Sequence, residues 1–495
     1  MAADGPRPGF LGNLSQDQET KLQQLWRVVL TAAESTTGDN APAAGAEGTA
    51  SPTEPPQRRL SLLSRTQSNL SEKQSPAAQT AYQQRVLATL KEFGIQNSES
   101  KAIQKALSAI TPAELRQGVL DTLKHDHPDS MLLRFLRARK WDIPKSFAMM
   151  MDATVWRVKE AHVDDDVMAK GELHALKQTQ NTSNPSEKKA GTDFLSQMRM
   201  GKAYVHGTDK LGRPIVVIRV RLHKPGAQSE EALERYIVHV IESVRLTLSP
   251  PVETACVLFD MTGFGLGNME YPPVKFILKC FEANYPESLG IMLIHNAPWI
   301  FSGIWKIIRG WMDPDIAAKV DFTNNVNDLT KHIERDQIVK EVGGDEDWEY
   351  KYIEPSPEEN DKMKDTTTRD ALKSERRQIG EEFLAATSAW AEAAKSKNAD
   401  EVKKAASQRA FLAERLRVNH WKLDPYTRAR FCLDREGVIQ EGGKVDFYPN
   451  GDAKGVNGEA NGEAGAENTT EGESKTLKVE HLESVNGNAT ATAAS

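Results

Sequence analysis

The run Leu289-Gly-Ile-Met-Leu-Ile-His295 is almost unbroken in apolar character and lies between Pro286 and Pro298. Proline neither donates to a sheet ladder nor continues a helix interior, so the run is confined to a short element. Its length and composition predict a strand buried on both faces. Directly after it, Trp299, Ile300, Phe301, Ile304, Trp305, Ile307, Ile308 and Trp311 recur at helical spacing, with few polar positions: Ser302, Lys306 and Arg309. An apolar face that wide exceeds what packing on one side needs. Such a helix either sits in a large core or covers an apolar cavity and meets a membrane. The helix alone leaves both open.

The chain has 495 residues, 39% hydrophobic and 27% charged, which suits a soluble protein carrying disordered segments. The formal net charge is -7 and no Lys/Arg block is interleaved with aromatics, so no nucleic-acid partner is expected. Cys256, Cys280 and Cys432 offer neither a disulfide framework nor zinc spacing, which predicts a reducing compartment. The first residues lack an apolar signal region, and no run approaches the ~18 apolar residues a membrane span requires. A cytoplasmic protein is expected.

Ser15 and Gln18 form a capping-box pattern ahead of Leu22, Leu25, Trp26, Val29 and Leu30 on one helical face. Helical periodicity returns from Ala78 to about Ala161, so residues 13–32 and 78–162 are expected to form one helical subdomain around a disordered insert at 33–77. Ser61 and Ser68 in that insert each follow an arginine by three residues, the arrangement basophilic kinases favour, and are candidate phosphosites. Further on, Leu132, Leu133, Phe135 and Leu136 define a buried helix face, while Arg134, Arg137, Arg139 and Lys140 gather near the helix end. Cations there are favoured by the helix dipole, so the cluster is either a stable helix end or an anion site.

A polar break at 178–192 precedes two strands joined by a Gly-containing turn, then strands alternating with helices up to about Pro355. That order predicts an α/β fold: a mixed, largely parallel sheet flanked by helices over 193–355. Helical segments are expected over 366–437, with a short separate one after Asp424-Pro425, and an acidic disordered tail over 438–495. Gly263-Phe-Gly-Leu-Gly267 has neither dinucleotide-binding nor P-loop spacing, and no GxSxG or HExxH motif occurs. His125 and His127 flank Asp126 without a second ligand cluster, so no metal site is expected. Nothing points to catalysis; no catalytic residue or cofactor is expected.

Several motifs together resemble the CRAL-TRIO lipid-exchange family, in its fungal phosphatidylinositol transfer branch. They are Leu132-Leu-Arg-Phe-Leu-Arg-Ala-Arg-Lys-Trp-Asp142, Asp209-Lys-Leu-Gly-Arg-Pro-Ile215, Leu258-Phe-Asp-Met-Thr-Gly263, Asn284-Tyr-Pro-Glu287, Ile294-His-Asn-Ala-Pro298 and Asp313-Pro314, in the family's order. The resemblance implies a helical N-terminal subdomain, an apolar pocket holding one lipid, and a mobile gate helix at 299–311 carrying Ile300, Phe301, Ile304, Trp305, Ile307 and Ile308. It implies a phosphatidylinositol headgroup site at Arg139, Lys140, Glu287 and Lys319, and exchange of the lipid at a transient membrane surface by a protein peripheral to internal membranes. Phosphatidylcholine-exchanging members carry Ser and Thr where this chain has Ala255 and Val257, so the resemblance implies phosphatidylinositol without phosphatidylcholine. A sterol-like second ligand suits the drier wall. The alternative is a lipid sensor that presents its ligand to a lipid kinase or another partner.

Overall fold

The computed structural model describes residues 7–34 and 76–449. Ser61 and Ser68 lie outside them, as does most of the 33–77 insert. The first layer is helical: α1 (Gln16–Ala33), α2 (Pro76–Lys91), α3 (Asn97–Ala109), α4 (Pro112–Leu123), α5 (Pro128–Ala138) and α6 (Ile143–Val155). Ser15 and Gln18 make the reciprocal capping box that starts α1, and Thr111 with Glu114 does the same for α4. Two π-helical turns, at Trp156–Glu160 and Val163–Met168, lead into α7 (Ala169–Gln180) and α8 (Pro185–Arg199). The polar stretch expected as a break at 178–192 is therefore partly helical. Asn184 caps α8 and Pro185 occupies its first turn, and residues 186–190 are exposed, so the stretch carries no apolar periodicity until Gly191, Phe194, Leu195 and Met198 turn inward.

The sheet contains β1 (Ala203–Thr208), β2 (Pro214–Arg219), β3 (Ala255–Asp260), β4 (Leu289–His295) and β5 (Val320–Thr323), in that spatial order. β1 and β2 form the expected antiparallel hairpin, and β2 through β5 run parallel. The hairpin turn is fixed by Asp209, whose carboxylate accepts from the Leu211 and Arg213 amides at 2.9 Å and from Arg213 Nε at 2.5 Å. Gly290 in β4 makes room for this arginine: a Cβ there would lie 2.6 Å from Arg213 Nη1.

Between the strands lie α9 (Glu230–Leu246), capped by Ser229, α10 (Tyr271–Lys279), α11 (Phe301–Arg309), and α12 (Pro314–Ala317), capped by Asp313. The strands alternate as period 2 requires. Cys256, Leu258, Val217 and Leu293 pack on one face against Leu329, Ile333 and Ile338. Val216, Ala255, Val257 and Met292 belong to the other face.

α13 (Val326–Leu329) and a chain of short turns lead to α14 (Thr366–Lys395) and α15 (Ala399–Thr427), which pack on each other and on the N-terminal helices. Phe383, Trp390 and Leu412 share one core with Trp26, Leu132 and Phe147. Arg409 pairs with buried Asp129, which also accepts from Trp26 Nε1 at 2.7 Å. Two expectations are corrected here. α15 runs through Pro425 without a break: the proline sits in the last turn, where Asp424 is held by Arg428 and Arg430. Residues 438–449, which composition assigns to the disordered tail, pack on the sheet domain through Val438, Ile439, Val445 and Phe447, and Ile439 bridges Val445.

Candidate functional site

The Val216/Ala255/Val257/Met292 face of the sheet is the floor of a large cavity. α9 supplies one wall with Leu233, Tyr236, Ile237, Val240, Ile241 and Val244, a helical stripe three and four residues apart. Val274, Ile277 and Phe281 come from α10 and the turn after it, and Phe301, Trp305 and Ile308 from α11. The cavity volume is about 220 Å³. The walls are almost wholly apolar.

Of the expected gate residues, Phe301, Trp305 and Ile308 line the cavity, and Ile304 is buried in the adjoining cluster. Ile300 and Ile307 do not line it. Ile307 is 47% exposed and Trp299 86% exposed, while Trp311 stacks edge-on against Tyr271 under Lys275. α11 thus turns Phe301, Trp305 and Ile308 to the cavity and Ile307 to solvent among Ser302, Gly303, Lys306 and Arg309, with exposed Trp299 just ahead of the helix.

None of the four expected headgroup residues is part of the cavity wall. Glu287 and Lys319 are brought together, 3.3 Å apart and partly exposed, just before β4 and β5 respectively. Glu287 has φ of 55° and its carbonyl accepts from Arg134 Nη1 at 3.0 Å, which holds this left-handed turn. Lys140 is 82% exposed at its side chain and lies 4.0 Å from Asp315, on α12, the helix that leads to Lys319. The Arg139 guanidinium donates to the Ala138 carbonyl at 3.2 Å. Ser288, next to Glu287, lines the large cavity and also a smaller one of about 60 Å³ that reaches Arg134. Glu287 is therefore the chain neighbour of a wall residue, and among the described residues no hydrogen bond or ion pair joins Arg139 to Glu287, Lys140 or Lys319.

The comparisons agree with this architecture. Residues 198–344 match the CRAL/TRIO domain model and residues 99–152 the CRAL/TRIO N-terminal domain model. A CRAL-TRIO domain-containing protein of Schizosaccharomyces pombe is 40% identical over 69% of this chain and 73% of its own length. The chain belongs to the CRAL-TRIO family. Among its relatives, phosphatidylinositol transfer protein CSR1 of Eremothecium gossypii is 41% identical over 64% of this chain and 70% of that protein. The Sec14 cytosolic factor of S. pombe is 27% identical over 44% and 74%.

Sequence reasoning missed a second polar group on this CRAL-TRIO cavity, formed by Lys202, His223 and Glu270. Lys202 is buried, donating to Gln197 Oε1 at 3.1 Å and Gln228 Oε1 at 2.9 Å. His223 meets Glu270 at 3.0 Å. Burial pushes the Lys202 ammonium down to about 8, and burial, then Lys202, lowers His223. A lysine after a Met-Gly turn carries no motif, so only the tertiary fold exposes this group. Among the described residues no cluster of three or more His, Cys, Asp or Glu is arranged to hold a metal, and no helix is long and apolar enough to cross a membrane.

Proposed function

We propose that this protein binds phosphatidylinositol, with the acyl chains in the apolar cavity and the headgroup at Arg139, Lys140, Glu287 and Lys319, and exchanges it between membranes without covalent chemistry. The observation that carries the reading is the placement of the Glu287–Lys319 pair one residue outside the wall of a large apolar cavity. Lys319, Lys140 and Arg139 would take the phosphate oxygens through charge-assisted hydrogen bonds, and the Glu287 carboxylate would accept from inositol hydroxyls. The 41% identity to a phosphatidylinositol transfer protein of Eremothecium gossypii supports the same ligand.

Burying an acyl chain yields about 0.8 kcal/mol per CH₂, which is lost if the cavity opens to water, so the carrier travels closed. Opening falls to α11. Its inner residues, Phe301, Trp305 and Ile308, cover the cavity, and the exposed Ile307 on its outer side and Trp299 just before it are ready to enter a bilayer interface. The protein would then work in the cytoplasm and visit internal membranes peripherally. The test is transfer of labelled phosphatidylinositol between vesicles. Lys319→Ala and Lys140→Ala should each slow transfer about tenfold, the worth of one charged hydrogen bond, with unfolding temperature unchanged. Folded variants that transfer at the wild-type rate would remove the headgroup assignment.

A further inference from the structure

Three cationic side chains besides His223 border the cavity: Lys202, Arg219 and Arg245. Arg219 pairs with Glu341 at 2.7 Å, and Arg245 with Glu242 at 3.2 Å and Asp126 at 3.5 Å. Among the described residues, Lys202 has no carboxylate within ion-pair distance. Its two hydrogen-bond partners are neutral amide oxygens, and an ammonium has three N–H donors. Lys202 is 5% exposed, Glu270 acts on it only from beyond ion-pair distance, and it lines a cavity that admits a ligand.

Its position is opposite to that of the proposed headgroup cluster. Lys202 precedes β1, and its carbonyl accepts from the amide of Arg219, the last residue of β2. Glu287 and Lys319 precede the first residues of β4 and β5, which run parallel to β2. The two polar groups therefore lie at opposite edges of the sheet, about 20 Å apart for strands of six or seven residues. Apolar side chains line the cavity between them.

We propose that the Lys202 edge of the cavity anchors the head of a second ligand, a long-chain carboxylate, whose hydrocarbon chain lies along the Val216/Val257/Met292 floor. This rests on the lipid-carrier reading and adds a ligand class to it. A single monoanionic head matches a single ammonium that no carboxylate contacts. Glu270, which borders the cavity beside His223, disfavours a phosphate dianion there. The free third donor of Lys202 takes one carboxylate oxygen, making the contact ion pair that Glu270 is too distant to form.

The experiment measures binding of oleate, oleyl alcohol and oleoyl lysophosphatidic acid to the full chain, with phosphatidylinositol binding measured in parallel. Oleate should bind at least tenfold more tightly than the alcohol and more tightly than the lysophosphatidic acid. Lys202→Met should abolish that preference and leave phosphatidylinositol binding intact, whereas Lys202→Arg should keep part of it. Equal binding of acid and alcohol by the wild-type protein would overturn the proposal without any variant, and so would a Lys202-dependent preference for the phosphate. Protein that prefers oleate but binds no phosphatidylinositol would instead count against the headgroup site alone.

Discussion

Ala255 and Val257 are two residues apart on β3, and both line the cavity floor, as does Met292 across the ladder. Neither offers a hydrogen bond, and a phosphate oxygen buried against them would go without a partner at a cost of about 1–3 kcal/mol each. The double variant Ala255→Ser/Val257→Thr should therefore gain phosphatidylcholine loading, by about tenfold or more in vesicle exchange. It should also lose a little stability when empty, because each new hydroxyl is buried. Loading that stays at background would show that the choline phosphate does not approach this strand. The residue scale is also where the sequence was least informative. Glu287 and Lys319 are 32 positions apart, and only the register of β4 with β5 makes them a pair. Lys202 looks like any surface lysine until Gln197 and Gln228 close over it.

At the scale of elements, the apolar character of α11 is legible in the sequence, since Phe301, Ile304, Trp305, Ile307 and Ile308 recur at helical spacing. What periodicity could not say is which residues take which side. Phe301, Trp305 and Ile308 turn inward, and Ile307 turns out. Replacing the outer pair, Trp299→Ser with Ile307→Ser, should slow transfer between vesicles several-fold while leaving bound lipid and unfolding temperature unchanged, since neither side chain contributes to the cavity. An unchanged transfer rate would mean that α11 does not enter the bilayer. The strands were equally legible, because β3 and β4 are short apolar runs closed by turn residues. α8 was not, because its first turns are solvated and its apolar face begins at Gly191.

For the whole molecule, the C-terminal helices complete the N-terminal core, and their contact contains a pH-sensitive pair. The His125 and His420 rings lie 5.7 Å apart beside Trp421. Burial pushes both below their ordinary value, and for His420 it outweighs Asp424 while Arg376 and His125 add to it. A histidine with a depressed folded value contributes stability above pH ~6.5, and that contribution is lost as pH falls below this point. Other groups act in the opposite sense: burial, then Asp164, pushes Asp121 up to about 6, which favours the folded state on acidification. The clean measure is thus a difference. The change in stability between pH 7.5 and 5.5 should be smaller in His420→Phe by about 1.4 kcal/mol, one unit of titration. Equal pH dependence in the two proteins would mean that His420 titrates normally.

The proposed lipid exchange depends on the cavity holding a lipid, and native mass spectrometry of the purified full chain, with extraction and identification of what it carries, tests that most directly. The account predicts phosphatidylinositol, at one molecule per chain, without phosphatidylcholine, and its loss in Lys319→Ala. Phosphatidylcholine in the wild-type protein, or phosphatidylinositol retained undiminished by the variant, would contradict it.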